Sequence, residues 1–148
     1  MRFMIIVKAT KDSETGVMSE LLKTEPWQKR FAEMATYHEE LQKAGVLLDG
    51  NGLHPSSKGW RVKYSGGKRT VIDGPFAETK ELIAGYTLIQ VKSKEEAMEW
   101  VRRFPNPHLD DGEIEVRQLY ELEDFGPALT PELRQQEERL RTQMGGQQ

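Results

Sequence analysis

A chain of 148 residues and 17.0 kDa suits one compact domain with a core of ordinary size. With no cysteine there is no disulfide framework, no thiolate nucleophile and no Cys-ligated zinc or iron–sulfur cluster. A net charge of -3 and a pI near 5.7, with Lys and Arg interspersed among Asp and Glu, give no global field for phosphate backbones, so nucleic-acid binding is not expected.

The apolar run at Phe3–Val7 is too short for a signal segment or a membrane span, so no membrane association and a cytoplasmic location are expected. Phe3, Ile5 and Val7 alternate with Met4 and Ile6, the pattern of a strand buried on both faces. Ala9 to Lys23 reads as a loop with at most one helical turn. A helix follows, with Thr24 as N-cap, Pro26 in the first turn and Gly45 as the stop. Trp27, Phe31, Met34, His38 and Leu41, spaced 4-3-4-3, trace its inward stripe. Val46-Leu47-Leu48 resumes extended structure, and Asp49-Gly50-Asn51-Gly52 suggests a bulge or bend before a turn near Pro55.

Trp60–Tyr64 and Arg69–Asp73 alternate around Ser65-Gly66-Gly67-Lys68, the signature of a hairpin. This hairpin leads into the most concentrated stretch of the chain, Asp73-Gly74-Pro75-Phe76 followed by Glu78-Thr79-Lys80-Glu81. Tyr86–Val91 forms another two-faced strand. A second helix opens with the Ser93/Glu96 capping box, turns Ala97, Trp100, Val101 and Phe104 inward, and ends at Pro105. Glu113–Glu121 is the last strand, and Phe125-Gly126-Pro127 marks a domain edge, so residues 1–126 form the domain and 127–148 a polar C-terminal helix or tail.

The order β-α-β, hairpin, β-α-β predicts an α+β ferredoxin-like fold, an antiparallel sheet with two helices on one face. Because two strands are apolar on both faces, the bare face also calls for cover, at roughly 25 cal/mol per Å² of apolar surface removed from water. A second copy packed sheet to sheet, giving a homodimeric α/β barrel that buries Met4, Ile6 and part of Tyr86–Val91, is the expected solution.

Asp73-Gly74-Pro75-Phe76 with Glu78-Thr79-Lys80-Glu81, together with Ala44-Gly45-Val46-Leu47-Leu48, Gly52-Leu53-His54-Pro55-Ser56 and Ile114-Glu115-Val116-Arg117, resembles the DGPF family within the YCII-related superfamily. The resemblance covers about residues 1 to 126 and implies a ferredoxin-like dimeric barrel. It also implies a functional link to an extracytoplasmic-function sigma factor for some members, and a relative similar to a dehydrochlorinase of aromatic degradation. In the YCII branch a helix histidine is paired with an acid, nearer the start of the helix, where this chain has residues such as Met34.

Two roles are open to Asp73 at its strand end: general base facing a cleft, or Asx-turn cap of its own loop. Phe76, Glu78 and Lys80 line that cleft as ligand contacts or, with Glu81, form a solvated edge. His38 is either a titratable partner of Asp73, tuned by desolvation, or a satisfied core residue. His54 lies at a cleft rim or in an exposed loop. Arg117 anchors an anion or pairs with Glu115 or Glu78. Three dispersed histidines show no metal-ligand spacing, and no phosphate loop, dinucleotide fingerprint or nucleophile elbow is present, so neither metal nor cofactor is expected. Two functions remain open: a module binding a small anionic or aromatic ligand near the Asp-Gly-Pro-Phe loop, or a cofactor-independent lyase or isomerase with Asp73 as base.

Overall fold

The computed structural model describes residues 1–145. Four strands, β1 (Arg2–Lys8), β2 (Leu47–Gly52), β5 (Ile83–Gln90) and β6 (Ile114–Gln118), form an antiparallel sheet of order β2-β5-β1-β6. This is the ferredoxin-like order, with α3 (Glu25–Lys43) crossing from β1 to β2 and α4 (Lys94–Arg102) from β5 to β6. The hairpin strands β3 (Trp60–Ser65) and β4 (Lys68–Asp73) stand between β2 and β5 in sequence but form a two-stranded sheet of their own. Gly66 and Gly67 turn this hairpin with φ of 58° and 75°.

Alternation along β1 sets the layers. Phe3 and Ile5 are buried and pair with Ile89 and Thr87 of β5, so this parity faces the helices. There it meets Tyr37 and Leu41 of α3 and Ala97 of α4, with Val46 and Val91 closing the core. The opposite parity, Met4, Ile6, Tyr86 and Leu88, is half-buried in the single chain. The register of β2 with β5 shifts at Leu48, between Leu47 and Asp49, just before the Asp49-Gly50-Asn51-Gly52 stretch expected to bulge or bend, which itself pairs in regular register.

Several expectations are corrected. Ala9–Lys23 is not a loop with one turn but two short helices, α1 (Lys11–Thr15) and α2 (Met18–Leu21), the first started by a Thr10/Ser13 capping box. Thr24 precedes α3 without capping it, because its Oγ1 donates to the Leu21 carbonyl at 2.7 Å. Phe31 is 61% exposed instead of inward, while Tyr37, outside the expected stripe, is buried and donates its hydroxyl to the Trp100 carbonyl at 2.7 Å. Burial pushes the Tyr37 pKa up to about 12. The last strand stops at Gln118.

The chain divides into two compact units, Met1–Gln118 and the residues from Leu119 on. The second contains a 3-10 segment, Leu122–Ala128, and the exposed helix α5 (Pro131–Gly145). Among the described residues no helix is long and apolar enough to cross a membrane.

Candidate functional site

A cavity of about 370 Å³ opens between α3, the glycine-bearing ends of β2 and β5, and the loop after α4. Trp27, Phe31 and Met34 of α3 and Phe104 from the α4 end supply much of its apolar wall. Its floor exists because of what strand pairing puts side by side. Gly50 of β2 lies directly across from Thr87 of β5, on the face that looks at α3. A Cβ on Gly50 would stand 3.2 Å from His38 Cε1, so the bare backbone there leaves the space the imidazole occupies.

Through that space His38 Nε2 reaches the Thr87 hydroxyl at 2.9 Å, and Thr87 is 2% exposed. Burial lowers the His38 pKa below its ordinary 6.5, because the charged ring would lose hydration with no acid beside it. The neutral imidazole thus prevails at neutral pH, one nitrogen fixed by Thr87. His108 also lines this cavity, 5% exposed, and bonds the Lys8 carbonyl through Nε2 at 3.0 Å. A carbonyl oxygen only accepts, so Nε2 carries the hydrogen and, in the neutral ring, Nδ1 is left as an acceptor. Desolvation lowers the His108 pKa too, against smaller opposing effects of the Lys8 carbonyl and Asp12. Among the described residues no Asp, Glu, Lys or Arg lines the cavity. Among the described residues no three of His, Asp or Glu are grouped to hold a metal ion.

A model of the YCII-related domain matches residues 1–123. The chain belongs to the YCII-related domain family. It is similar to the uncharacterised protein R00369 of Rhizobium meliloti (strain 1021), 33% identical over 101 residues, which is 65% of this chain and 82% of that protein. Among solved structures it is similar to a 5-chloro-2-hydroxyhydroquinone dehydrochlorinase from Burkholderia phenoliruptrix AC1100, solved in complex with 2,5-dihydroxybenzoquinone. That match has 14% identity and a TM-score of 0.44, covering 84% of this chain and 98% of that one.

Within this YCII-related domain, of the residues singled out by sequence only His38 lines the cavity. Asp73 is exposed at the end of β4 and is not brought beside His38. His54, Glu78 and Lys80 are exposed. Arg117 lies across from Met4 on the sheet parity turned away from the helices, 3.4 Å from Glu115, which is the ion pair weighed against an anion anchor. Phe76 packs under the Arg61 guanidinium, 3.7 Å from ring centre to Cζ.

The Asp-Gly-Pro-Phe turn is instead locked to the Pro55-Ser56 turn. Glu14 of α1 accepts from the Ser56 amide at 3.0 Å and from its hydroxyl, whose oxygen in turn accepts from the Phe76 amide at 3.0 Å. A Cβ on Gly74 would fall 1.8 Å from the Ser56 carbonyl oxygen, so only glycine fits. The Gly74–Pro75 peptide is cis. His108, which sequence reasoning noted only for its spacing, is the site residue that was missed; the signal was Asn106, whose side chain accepts from the His108 amide at 3.0 Å and folds the loop inward.

Proposed function

We propose that this YCII-related domain binds a small, uncharged ring compound in the His38–His108 cavity. The observation that carries the reading is a cavity of about 370 Å³ with aromatic walls, two neutral imidazoles and no ionised side chain in its lining. An ion entering it would lose its hydration without gaining a counter-charge, a cost of several kcal/mol, about what a small ligand gains from its contacts. A flat neutral ring keeps the benefit of apolar burial and of edge or offset stacking on Trp27, Phe31 and Phe104. Its polar substituents find hydrogen-bonding groups in His38, Thr87 and His108. The volume lies at the small end of ligand sites, which suits one or two fused rings.

Calorimetric titration with phenol, catechol and indole, against benzoate as the matched anion, tests this. Binding of the neutral compounds with little or none for benzoate is expected, together with roughly tenfold weaker binding in His38→Gln, the loss of about one hydrogen bond. Tighter binding of benzoate, or no binding of any neutral ring, contradicts it.

A second reading is favoured by one feature: His38 is a neutral base anchored at Nε2 by Thr87, while its Nδ1 has no protein partner among the described residues. A cofactor-independent lyase or isomerase would use that imidazole, in place of Asp73, to take a proton from a bound ring compound. Turnover that falls as pH drops through the His38 pKa and disappears in His38→Gln supports this reading. Binding without any turnover leaves the domain a ligand-binding module.

A further inference from the structure

The polar side chains that line the cavity differ in what they have left to offer a ligand. Ser13 donates its hydroxyl to the Thr10 carbonyl at 3.0 Å, and Tyr86 donates its own to Asp49 at 2.9 Å. Asn51 gives its amide hydrogens to Asp49 and to the Tyr86 oxygen, and it is exposed to water. The Thr87 hydroxyl is engaged by His38 Nε2, a pairing that either tautomer of the imidazole satisfies. His108 has no such latitude. Its Nε2 faces the Lys8 carbonyl at 3.0 Å, so the neutral ring carries its hydrogen there and Nδ1 is a lone-pair acceptor.

Three contacts hold the ring in that orientation. Asn106 Oδ1 accepts from the His108 amide at 3.0 Å, the Lys8 carbonyl holds Nε2, and Gly112 lies so close to the Cγ–Cδ2 edge that a Cβ there would run into the ring. The Nδ1–Cε1 edge is what remains to line the cavity. Nδ1 has no partner among the described residues, and none of their fully buried side-chain nitrogens or oxygens lacks one, so Nδ1 keeps surface open to an incoming atom. A ligand filling the cavity takes water away from Nδ1, and it either supplies a hydrogen in exchange or leaves a buried acceptor unsatisfied. Ethers, ketones and halogens only accept, whereas a ring hydroxyl or ring N–H donates. We infer that His108 is the specificity-determining residue of the cavity, its Nδ1 accepting the hydrogen of a ring hydroxyl or ring N–H, so that phenol-type and indole-type compounds are taken in preference to ethers or ketones of the same shape. This inference rests on the reading of the cavity as a site for neutral rings and narrows the class of ring.

Calorimetric titration of the full chain with phenol and with fluorobenzene, which is close to phenol in size but has no donor, tests this in the unsubstituted protein and in His108→Gln. Gln at this position keeps an amide N–H for the Lys8 carbonyl and loses the acceptor where Nδ1 stands. The ratio of phenol to fluorobenzene affinity is expected to fall roughly tenfold in His108→Gln, with fluorobenzene affinity little changed, because only phenol loses a hydrogen bond. Imidazole nitrogen NMR spectra of the unsubstituted protein supply a second readout that does not depend on the variant's folding. The Nδ1 resonance of His108 is expected at the position of an unprotonated nitrogen, to move upfield at saturating phenol and to stay in place at saturating fluorobenzene. An unchanged affinity ratio in a natively folded His108→Gln, a His108 Nδ1 that already carries the hydrogen, or an Nδ1 resonance indifferent to phenol would each overturn the inference while leaving the ring-binding reading in place. Binding of neither ring would overturn both.

Discussion

His38 owes its character to two small neighbours. Thr87 holds its Nε2, and Gly50 leaves it room, with the position of a missing Cβ only 3.2 Å from Cε1. Gly50→Ala should crowd the imidazole, shifting it against Thr87 by a few tenths of an ångström, and weaken binding of a neutral ring by roughly tenfold, since a loss of about 1 kcal/mol in positioning or packing is typical of such crowding; calorimetry beside the parent protein reads it. Protonation gives a second check. Both His38 and His108 have folded pKa values below the ordinary 6.5, so between those values and 6.5 the unfolded chain binds protons that the folded chain does not. The folded state therefore loses stability as pH falls below about 6.5, and levels off once both imidazoles are protonated in either state. The urea midpoint should drop between pH 7.5 and 5.5, and that drop should shrink in the His38→Gln, His108→Gln double variant.

At the scale of elements, the Asp-Gly-Pro-Phe turn belongs with the Ser56 turn and α1 more than with the cavity. Gly74→Ala would drive a methyl group into the Ser56 carbonyl, at 1.8 Å before any relaxation, and should destabilise the protein by at least ~2 kcal/mol in urea unfolding. Ser56→Ala removes the hydroxyl that accepts from the Phe76 amide and donates to Glu14, and should cost ~1–2 kcal/mol. The elements themselves were legible because their signals are periodic: the two-faced apolar alternation of β1, the paired glycines of the hairpin, the Ser93/Glu96 start of α4. Much of the site was not. His38 could be found because it interrupts an apolar stripe. His108 lies in an aperiodic loop, and the cavity depends on absent atoms at Gly50, which acquire meaning only when β2 is set in register beside β5. Asp73 attracted attention through its motif, although the physical demand there falls on Gly74.

For the whole molecule, the ferredoxin-like order brings β2 and β5 together beneath α3, and the space left there is what the YCII-related domain offers a ligand. The core around Ile5, Leu41 and Ile89, all fully buried, packs the sheet against the helices. Leu41→Ala should cost ~2–5 kcal/mol by calorimetric or urea unfolding, more than any change at the cavity rim such as Phe31→Ala, because Phe31 is already 61% exposed. The central claim is that a neutral ring compound is held between α3 and β5 beside His38. Chemical-shift mapping of backbone and imidazole resonances during titration with catechol tests it most directly. Shifts concentrated at His38, Gly50, Thr87 and His108, with Asp73, Phe76 and Arg117 unmoved, are the predicted result; shifts centred on the Asp73–Phe76 turn or on Arg117, with His38 silent, would contradict it.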